Sequence, residues 1–323
     1  MYYLLDPLSL KFIQDGKSYQ GEVEITLTFS QEKKPFLTKD IKINALIDGT
    51  LYTPEKKSNK TKLVILIAGS GSTDRFGNQK GANNNSLKFL SEELAKNNIA
   101  VFSYDIRLFA QIKSGNLDEK SLRFDDFIND ASDVILYFKS QKKYSKIIVA
   151  GHSEGSLIVM VAAKNNVDGF ISLEGAGRSI NLVLTEQLAK QAPAYIEECK
   201  TNLELLSQGK TFENKNPLLV SLFRESVQPF LISWMKYNPQ LEIKKLTIPI
   251  LIINGTKDIQ ITENEAYLLK EANPKAQIKI IENMNHIFKE IKLDAENIKS
   301  YNNPDLPLIP QLTKEITDFI NSI

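Results

Sequence analysis

The spacing of hydrophobic residues changes near residue 63. Before that point apolar and polar residues alternate, as at 22–29 and 41–46, which predicts half-exposed antiparallel strands. Asp48-Gly49 predicts a hairpin turn between two strands. From Leu63 onward, short apolar runs alternate with stretches of helical spacing. This order predicts an α/β fold with a mostly parallel central sheet and helices on both faces.

The second region divides into strands, core helices and one helical insertion. Strands are predicted at six apolar runs: 63–68, 99–104, 146–150, 169–173, 249–254 and 277–281. Helices are predicted at 87–96, 124–138, 263–271 and 312–323. Between about 175 and 245 three helical patterns follow one another without a strand, at 180–191, 194–207 and 217–237. The predicted organisation is an N-terminal β extension packed on the core (1–54), a core formed by 55–175 and 246–323, and a helical cap (176–245).

Gly151-His152-Ser153-Glu154-Gly155 lies between a predicted buried strand and an apolar helix. Strand, tight glycine turn and helix are the context of a nucleophile elbow, in which the turn holds a serine hydroxyl at the end of the sheet. G-x-S-x-G alone is a weak signal, because chance matches are frequent and a serine also caps helices. Ser153 is therefore a candidate nucleophile whose assignment depends on finding a base and an acid.

The candidate base is His286, which follows the strand predicted at 277–281. A serine hydroxyl needs a base to take its proton, and the chain has two histidines. His152 adjoins Ser153, so its ring cannot fold back onto the serine oxygen. His286 follows a strand's carboxyl end, the sheet edge at which the elbow is expected.

The candidate acid is Asp258, in the turn that follows the strand predicted at 249–254. An aspartate in such a turn is more often a helix cap or a loop former. The order Ser153, Asp258, His286 nevertheless matches the order of the catalytic triad in this architecture. In that role Asp258 would fix the tautomer of His286 and stabilise its protonated form.

Backbone N–H groups are expected to bind the oxyanion of a tetrahedral intermediate. One donor is predicted at Glu154, the residue after the nucleophile, and the second at Ser70 in the glycine-rich turn after the first core strand. A phosphate-binding role for that turn is disfavoured, because it lacks the lysine and the spacing of a P-loop.

Composition excludes several classes of partner and location. The net charge of +1 provides no basic surface for nucleic acid or an anionic membrane. No apolar run approaches the 18 or so residues of a membrane span, and no secretory signal is evident, so a cytoplasmic location is expected. The single cysteine, Cys199, cannot form an internal disulfide and is expected to be a buried helix residue.

The chain resembles the α/β-hydrolase superfamily, and within it a bacterial group of small serine carboxylesterases. The similar motifs are Gly69-Ser70-Gly71 with 74–78, Tyr104-Asp105-Ile106-Arg107, the elbow, Gly255-Thr256-Lys257-Asp258, Asn283-Met284-Asn285-His286 and the cap segment 226–234. The resemblance extends from about residue 40 to the C-terminus. Two positions depart from it. Ala68 stands where many relatives have histidine, and Leu108-Phe109-Ala110 replaces a glycine-rich turn.

The resemblance implies hydrolysis of a small acyl ester through an acyl-enzyme on Ser153, without a metal or an organic cofactor. Short acyl chains are expected, and Phe223, Phe230 and Trp234 are candidates for an acyl pocket, although aromatic residues on a helix are more often core. Arg75 and Arg107 are candidates for contact with an anionic substrate group, but pairing with local carboxylates is the favoured role.

Several alternatives remain on the same triad. A peptidase, thioesterase or acyltransferase would differ only in its pocket. A dehalogenase or epoxide hydrolase would require aspartate at position 153. A non-catalytic ligand-binding protein on this fold is disfavoured because all three triad residues are present.

Overall fold

The computed structural model describes residues 8–14, 17–23, 34–56, 58, 60–165 and 167–323. The chain divides into two compact units, residues 1–34 and 35–323. In the first unit, strands β1 (Leu8–Gln14) and β2 (Lys17–Val23) form an antiparallel pair. The strand predicted at 22–29 lies outside the described residues from position 24 onward.

The second unit contains an eight-stranded sheet. Its strands are β3 (Phe36–Lys42), β4 (Asp48–Pro54), β5 (Leu63–Ile67), β6 (Ala100–Tyr104), β7 (Ile147–His152), β8 (Gly169–Leu173), β9 (Ile250–Gly255) and β10 (Gln277–Ile281). Their spatial order is β10-β9-β8-β7-β5-β6-β4-β3. The six strands from β5 to β10 are mutually parallel, whereas β3 and β4 are antiparallel. The last two strands of the predicted 1–54 extension therefore belong to the core sheet, with β3 at its edge and β4 between β3 and β6.

Strands β5 to β9 are buried along their whole length. Their continuous Ile, Leu and Val runs, rather than alternating patterns, are what a sheet covered on both faces requires. All six predicted core strands are present, with ends that differ by at most two residues. The α/β class with a mostly parallel central sheet, expected from the sequence, is confirmed.

The hairpin between β3 and β4 turns earlier than the sequence predicts. Residues 43–47 form the turn, and Asn44 Oδ1 accepts hydrogen bonds from the amides of Leu46 (2.8 Å) and Ile47 (2.9 Å). The expectation of a strand at 41–46 and a turn at Asp48-Gly49 was wrong, because this local Asn turn sets the register. Gly49 instead lies in β4, where an added Cβ would be 2.5 Å from the Phe102 ring.

Twelve helices occur in the described part of the chain. They are α1 (Ser86–Lys96), α2 (Arg107–Ser114), α3 (Phe124–Gln141), α4 (Glu154–Ala162), α5 (Ile180–Gln191), α6 (Ile196–Ser207), α7 (Val220–Phe223), α8 (Gln228–Met235), α9 (Pro239–Lys244), α10 (Glu263–Ala272), α11 (Asp294–Ser300) and α12 (Pro310–Ser322). Among the described residues, no helix has the length and apolar character needed to cross a membrane. The helical insertion expected between β8 and β9 is formed by α5 to α9.

The topology determines where a site can lie. Parallel strands end at the same edge of a sheet, and ligands of open α/β sheets bind outside the strands' carboxyl ends. The residues that follow β5, β7, β8, β9 and β10 therefore share one edge of the sheet.

Candidate active site

Ser153 occupies a strained turn between β7 and α4. Its φ of 52° and ψ of −119° lie in a region that side-chain-bearing residues rarely adopt. The flanking glycines permit this turn. A Cβ at Gly151 would lie 2.1 Å from Gly155 O, and a Cβ at Gly155 would lie 2.4 Å from Ala68 O. The local geometry is that of a nucleophile elbow.

Ser153 is half-buried, whereas the other four residues of the elbow are buried. Its amide donates a 2.8 Å hydrogen bond to Leu173 O at the end of β8, which attaches the turn to the neighbouring strand. The elbow thus presents one side chain while its backbone is held by the sheet.

Asp258 and His286 form a short hydrogen bond. His286 Nδ1 lies 2.6 Å from Asp258 Oδ2, and both residues are more than 90% buried. The other carboxylate oxygen, Oδ1, accepts from the amides of Gln260 (2.7 Å) and Ile261 (2.9 Å). Since a carboxylate can only accept, Nδ1 is the donor in this hydrogen bond, which leaves Nε2 as the other ring nitrogen.

The loops after β9 and β10 are joined to each other. The Lys257 amide donates to Met284 O (2.9 Å), and the Asn283 amide donates to Thr256 Oγ1 (2.9 Å). Gly255 is required at this crossing, because a Cβ there would lie 2.0 Å from Met284 O. Asp258 and His286 are therefore placed by one interlocked pair of turns.

Asn285, which is fully buried, anchors the His286 loop. Its side-chain amide donates to Asn297 Oδ1 (3.0 Å) and Ser300 Oγ (2.8 Å) in α11. Its Oδ1 accepts from the amides of Ile287 (3.3 Å) and Lys289 (2.9 Å). Sequence reasoning placed Asn285 in a motif but assigned it no role. Its function depends on α11, which the sequence did not predict.

His152 also supports His286. Its Nε2–H donates a 2.8 Å hydrogen bond to the His286 carbonyl, and the two ring centroids are 4.7 Å apart. Burial, followed by the proximity of His286, lowers the pKa of His152 to about 3, so the ring is neutral at ordinary pH. The Nε2 atom of His152 is thus engaged by the backbone of His286.

The predicted oxyanion donors lie on either side of Ser153. Glu154 is the first residue of α4, so its N–H belongs to the unpaired first turn of that helix. An added Cβ at Gly69 would lie 3.1 Å from Ser153 Cβ, which places the loop containing Ser70 against the elbow. The Glu154 side chain is buried, and burial raises the pKa of its carboxyl to about 8.

Both candidate arginines are paired with carboxylates. Arg75 binds Asp105 through Nη2 (2.6 Å) and Nε (3.1 Å). It also contacts Asp40 and Asp48. Arg107 binds Asp130 at 2.7 and 2.8 Å. Local ion pairing, the role favoured from the sequence, matches these contacts. The Arg75 contacts link the loop after β5 to β3, β4 and the residue after β6, whereas the Arg107 contact links α2 to α3.

The three cap aromatics differ in their surroundings. Phe223 is fully buried in a cluster within the cap, together with Cys199, Leu203, Leu206, Leu219 and Leu231. Trp234 stacks on Phe124 of α3 at a centroid distance of 5.3 Å, and Phe230 contacts Phe127 at 5.6 Å. Trp234 also packs against a cluster that contains Ile261. Trp234 thus lies near the Asp258 loop, and the acyl-pocket role of all three stays a prediction.

Glu174 is a further acidic residue that sequence reasoning missed. It follows β8 directly, is fully buried, and has a left-handed φ of 51°. Its carboxyl, that of Asp258 and the His286 ring have potential metal-ligating atoms within 4.8 Å of one another. The Asp258–His286 hydrogen bond already accounts for two of these groups. The available signal was a charged residue directly after an apolar strand.

The fold and the elbow define an α/β-hydrolase. Residues 81–291, more than half of the 323 residues, match the family model described as serine aminopeptidase, S33. The chain belongs to this family. The expected membership of the α/β-hydrolase superfamily is confirmed.

A curated relative and several solved structures are similar to the chain. Esterase EstD of Thermotoga maritima is 26% identical over 271 residues, which cover 79% of this chain and 61% of EstD. The chain thus spans about three-fifths of the length of that relative. Est1E from Butyrivibrio proteoclasticus superposes with a TM-score of 0.55 at 14% identity, covering 97% of this chain and 98% of Est1E.

The Pyrococcus furiosus esterase Pf2001 has a TM-score of 0.51 at 15% identity, with 92% of this chain and 97% of that one covered. At these identities the structural matches establish the shared fold. The names of these similar proteins agree with the carboxylesterase-type hydrolase predicted from the sequence.

Proposed function

We propose that the protein is a serine carboxylesterase that hydrolyses small-molecule acyl esters with Ser153, His286 and Asp258 as its triad. The observation that carries the proposal is the 2.6 Å hydrogen bond between the buried Asp258 and His286, at the sheet edge that also presents Ser153 on its strained turn. The esterase relative and the family match support the same reaction class.

In this mechanism His286 Nε2 takes the proton of the Ser153 hydroxyl as its oxygen attacks the ester carbonyl. The amides of Glu154 and Ser70 donate hydrogen bonds to the resulting oxyanion. His286 returns the proton to the departing alcohol, leaving an acyl-Ser153. Water then attacks this acyl group with His286 again as the base, releasing the acid. Asp258 stabilises the imidazolium formed in both steps.

Electrostatics favour an uncharged ester. Arg75 and Arg107 are both held by carboxylates, so neither offers a free guanidinium to an anionic substrate. His152 is neutral at ordinary pH. Burial raises the pKa of Glu154 to about 8, so its carboxyl is mostly neutral at pH 7. These groups place little net charge beside the elbow.

The packing of the cap favours short acyl chains. Phe230 and Trp234 both contact Phe124 of α3, with ring centroids 6.2 and 5.3 Å away. Aromatic side chains that pack against each other in this way leave less room for a long acyl chain. We therefore expect kcat/KM to decrease as the acyl group lengthens.

The test is hydrolysis of p-nitrophenyl esters from acetate to palmitate by the wild type, Ser153→Ala and the control Ser140→Ala. Ser140 is exposed on α3, and its hydroxyl donates to Tyr137 O in the same helix. We expect short-chain activity that falls by roughly 10⁵-fold in Ser153→Ala and is unchanged in Ser140→Ala. A fluorophosphonate should label Ser153.

Two outcomes would overturn the proposal. Hydrolysis of aminoacyl p-nitroanilides in preference to every ester would favour a peptidase, the activity that the family description names. Neither hydrolysis nor fluorophosphonate labelling would favour a ligand-binding protein instead.

A further inference from the structure

Glu174 is a buried acid that the proposed mechanism does not use. Its side chain is fully shielded from solvent, and its amide donates a 2.9 Å hydrogen bond to Ile253 O in β9. A left-handed φ at a glutamate is uncommon and is retained when surrounding contacts enforce it. The strand ends of β8 and β9 thus direct this carboxyl toward the loop of Asp258.

The two oxygens of Glu174 have different surroundings. Oε2 accepts a 3.2 Å hydrogen bond from the Gly255 amide. Oε1 is buried, and no described residue donates a fixed hydrogen to it. A buried carboxylate oxygen without a donor is costly, whereas a protonated oxygen becomes a donor itself. The neighbouring acceptor is the Asp258 carboxylate: the two groups lie within 4.8 Å of each other, and a hydrogen bond between their side chains contributes to the pKa shifts of both.

The distribution of donors decides which of the two acids carries the charge. Asp258 accepts from His286 Nδ1 and from two backbone amides, whereas Glu174 accepts from one amide. Two adjacent buried carboxyls cannot both ionise cheaply, so the better-solvated one takes the charge. Asp258 is therefore the carboxylate and Glu174 the neutral acid.

The titration behaviour of the pair agrees with this assignment. Burial, followed by the charge of Asp258, raises the pKa of Glu174 well above its ordinary value. Burial also acts to raise the pKa of Asp258, but His286 and the hydrogen bonds to its carboxylate outweigh burial and lower it. The other titratable groups that act on the pair are the neutral His152 and Tyr301, whose own pKa is raised by burial.

We propose that Glu174 is a positioning residue that, in its protonated form, donates a hydrogen bond to Asp258 and holds that carboxylate in place for His286. The proposal rests on the triad assigned above, because it names what orients the triad's acid. Glu174 would also keep the Glu174–Asp258 pair at a single negative charge, so that the basicity of His286 is set by Asp258 alone.

The test compares Glu174→Gln with Glu174→Met. Glutamine is neutral, can donate to Asp258 and can accept from the Gly255 amide, whereas methionine has similar size and no donor. We expect Glu174→Gln to keep kcat within about 3-fold of the wild type. Glu174→Met should lower kcat by about 10-fold or more at nearly constant KM, the effect of losing a hydrogen bond to a charged group.

The acid limb of the pH dependence of kcat/KM distinguishes the two protonation states of Glu174. A neutral Glu174 predicts the same apparent pKa in wild type and Glu174→Gln, because no charge is removed. An ionised Glu174 would stabilise the His286 imidazolium, so its replacement would lower that pKa. A drop of about one unit or more in Glu174→Gln would overturn the proposal.

Two spectroscopic measurements work without turnover. At neutral pH the infrared C=O band of protonated carboxyls, to which the buried Glu154 also contributes, should lose its Glu174 component in Glu174→Gln. The downfield proton resonance of His286 Nδ1–H should persist in Glu174→Gln but shift in Glu174→Met. An unchanged infrared spectrum, or a resonance unaffected in Glu174→Met, contradicts the proposal. If the wild type hydrolyses no ester while both signals behave as expected, the esterase assignment fails and the hydrogen-bonding role of Glu174 stands.

Discussion

The loops at the carboxyl edge of the sheet and the helices of the cap are held by different forces. In the loops, Asp258, Asn285 and His152 bind backbone groups through side-chain hydrogen bonds. In the cap, the side chains around Phe223 pack as an apolar cluster. Hydrogen bonds require defined atom positions, whereas apolar packing tolerates changes of similar volume. Catalytic geometry and substrate fit are therefore expected to respond to different substitutions.

The most severe test of the loop region is Gly151→Ala. The new Cβ would lie 2.1 Å from Gly155 O, a clash with backbone that no rotamer relieves. We expect a loss of about 4 kcal/mol or more in the free energy of unfolding, measured in urea, together with loss of esterase activity.

Gly209→Ala is the matched control. Gly209 has a φ of 77°, and an added Cβ would meet nothing within 4 Å, so only backbone strain of about 1 kcal/mol applies. Equal destabilisation by the two substitutions would show that close packing at the elbow is unimportant.

The second prediction concerns pH. Burial raises the pKa of Glu154 to about 8 in the folded state, above its ordinary value of 4.5. The folded protein then binds more protons than the unfolded chain between these values, so stability is lost as pH rises toward 8. Glu154→Gln should remove this loss and gain about 3 kcal/mol over the wild type between pH 5 and pH 9.

Urea unfolding at the two pH values measures the effect, and Glu204→Gln is the control. Glu204 is exposed on α6, and its substitution removes the same charge. The idea fails if Glu154→Gln and the wild type lose stability in parallel.

The third prediction asks whether the buried hydrogen bonds of Asn285 affect kcat beyond their effect on stability. Asn285→Ala removes hydrogen bonds to the His286 loop and to α11. We expect a loss of about 2 kcal/mol in unfolding free energy and a fall of about 10-fold in kcat.

Asn273→Ala is comparable, because the buried Asn273 amide binds Ile243 O (2.8 Å) and Leu246 O (3.1 Å). Asn273→Ala should lower the free energy of unfolding by a similar amount and leave kcat unchanged. A similar fall in kcat for both variants would mean that Asn285 acts through general stability.

The sequence predicts those parts of the site that follow from local patterns. Ser153, Asp258 and His286 each follow an apolar strand, and parallel strands bring their ends to one edge. Glu174 also directly follows an apolar strand, but its role, like that of Asn285, comes from contacts with β9 and α11, which no local pattern predicts. The hairpin was misplaced for a related reason. Asp-Gly is a strong turn signal, yet the Asn44 turn and the close approach of Gly49 to Phe102 put Gly49 inside a strand.

The smallest expected effect tests the cap. Trp234 packs against both Phe124 and the cluster around Ile261, three residues beyond Asp258. Trp234→Leu should create space near the site and shift the ratio of kcat/KM for hexanoate over acetate by about 3-fold, since each buried methylene contributes about 0.8 kcal/mol.

Phe223→Leu, inside the cap cluster, is the control. It should lower the free energy of unfolding by about 1 kcal/mol without changing this ratio. In Phe223→Leu the pH dependence of kcat/KM should match the wild type, because Phe223 packs within the cap cluster. A change of chain-length preference in Phe223→Leu would place Phe223 in the acyl pocket and remove the distinction between the cap interior and its site-facing side.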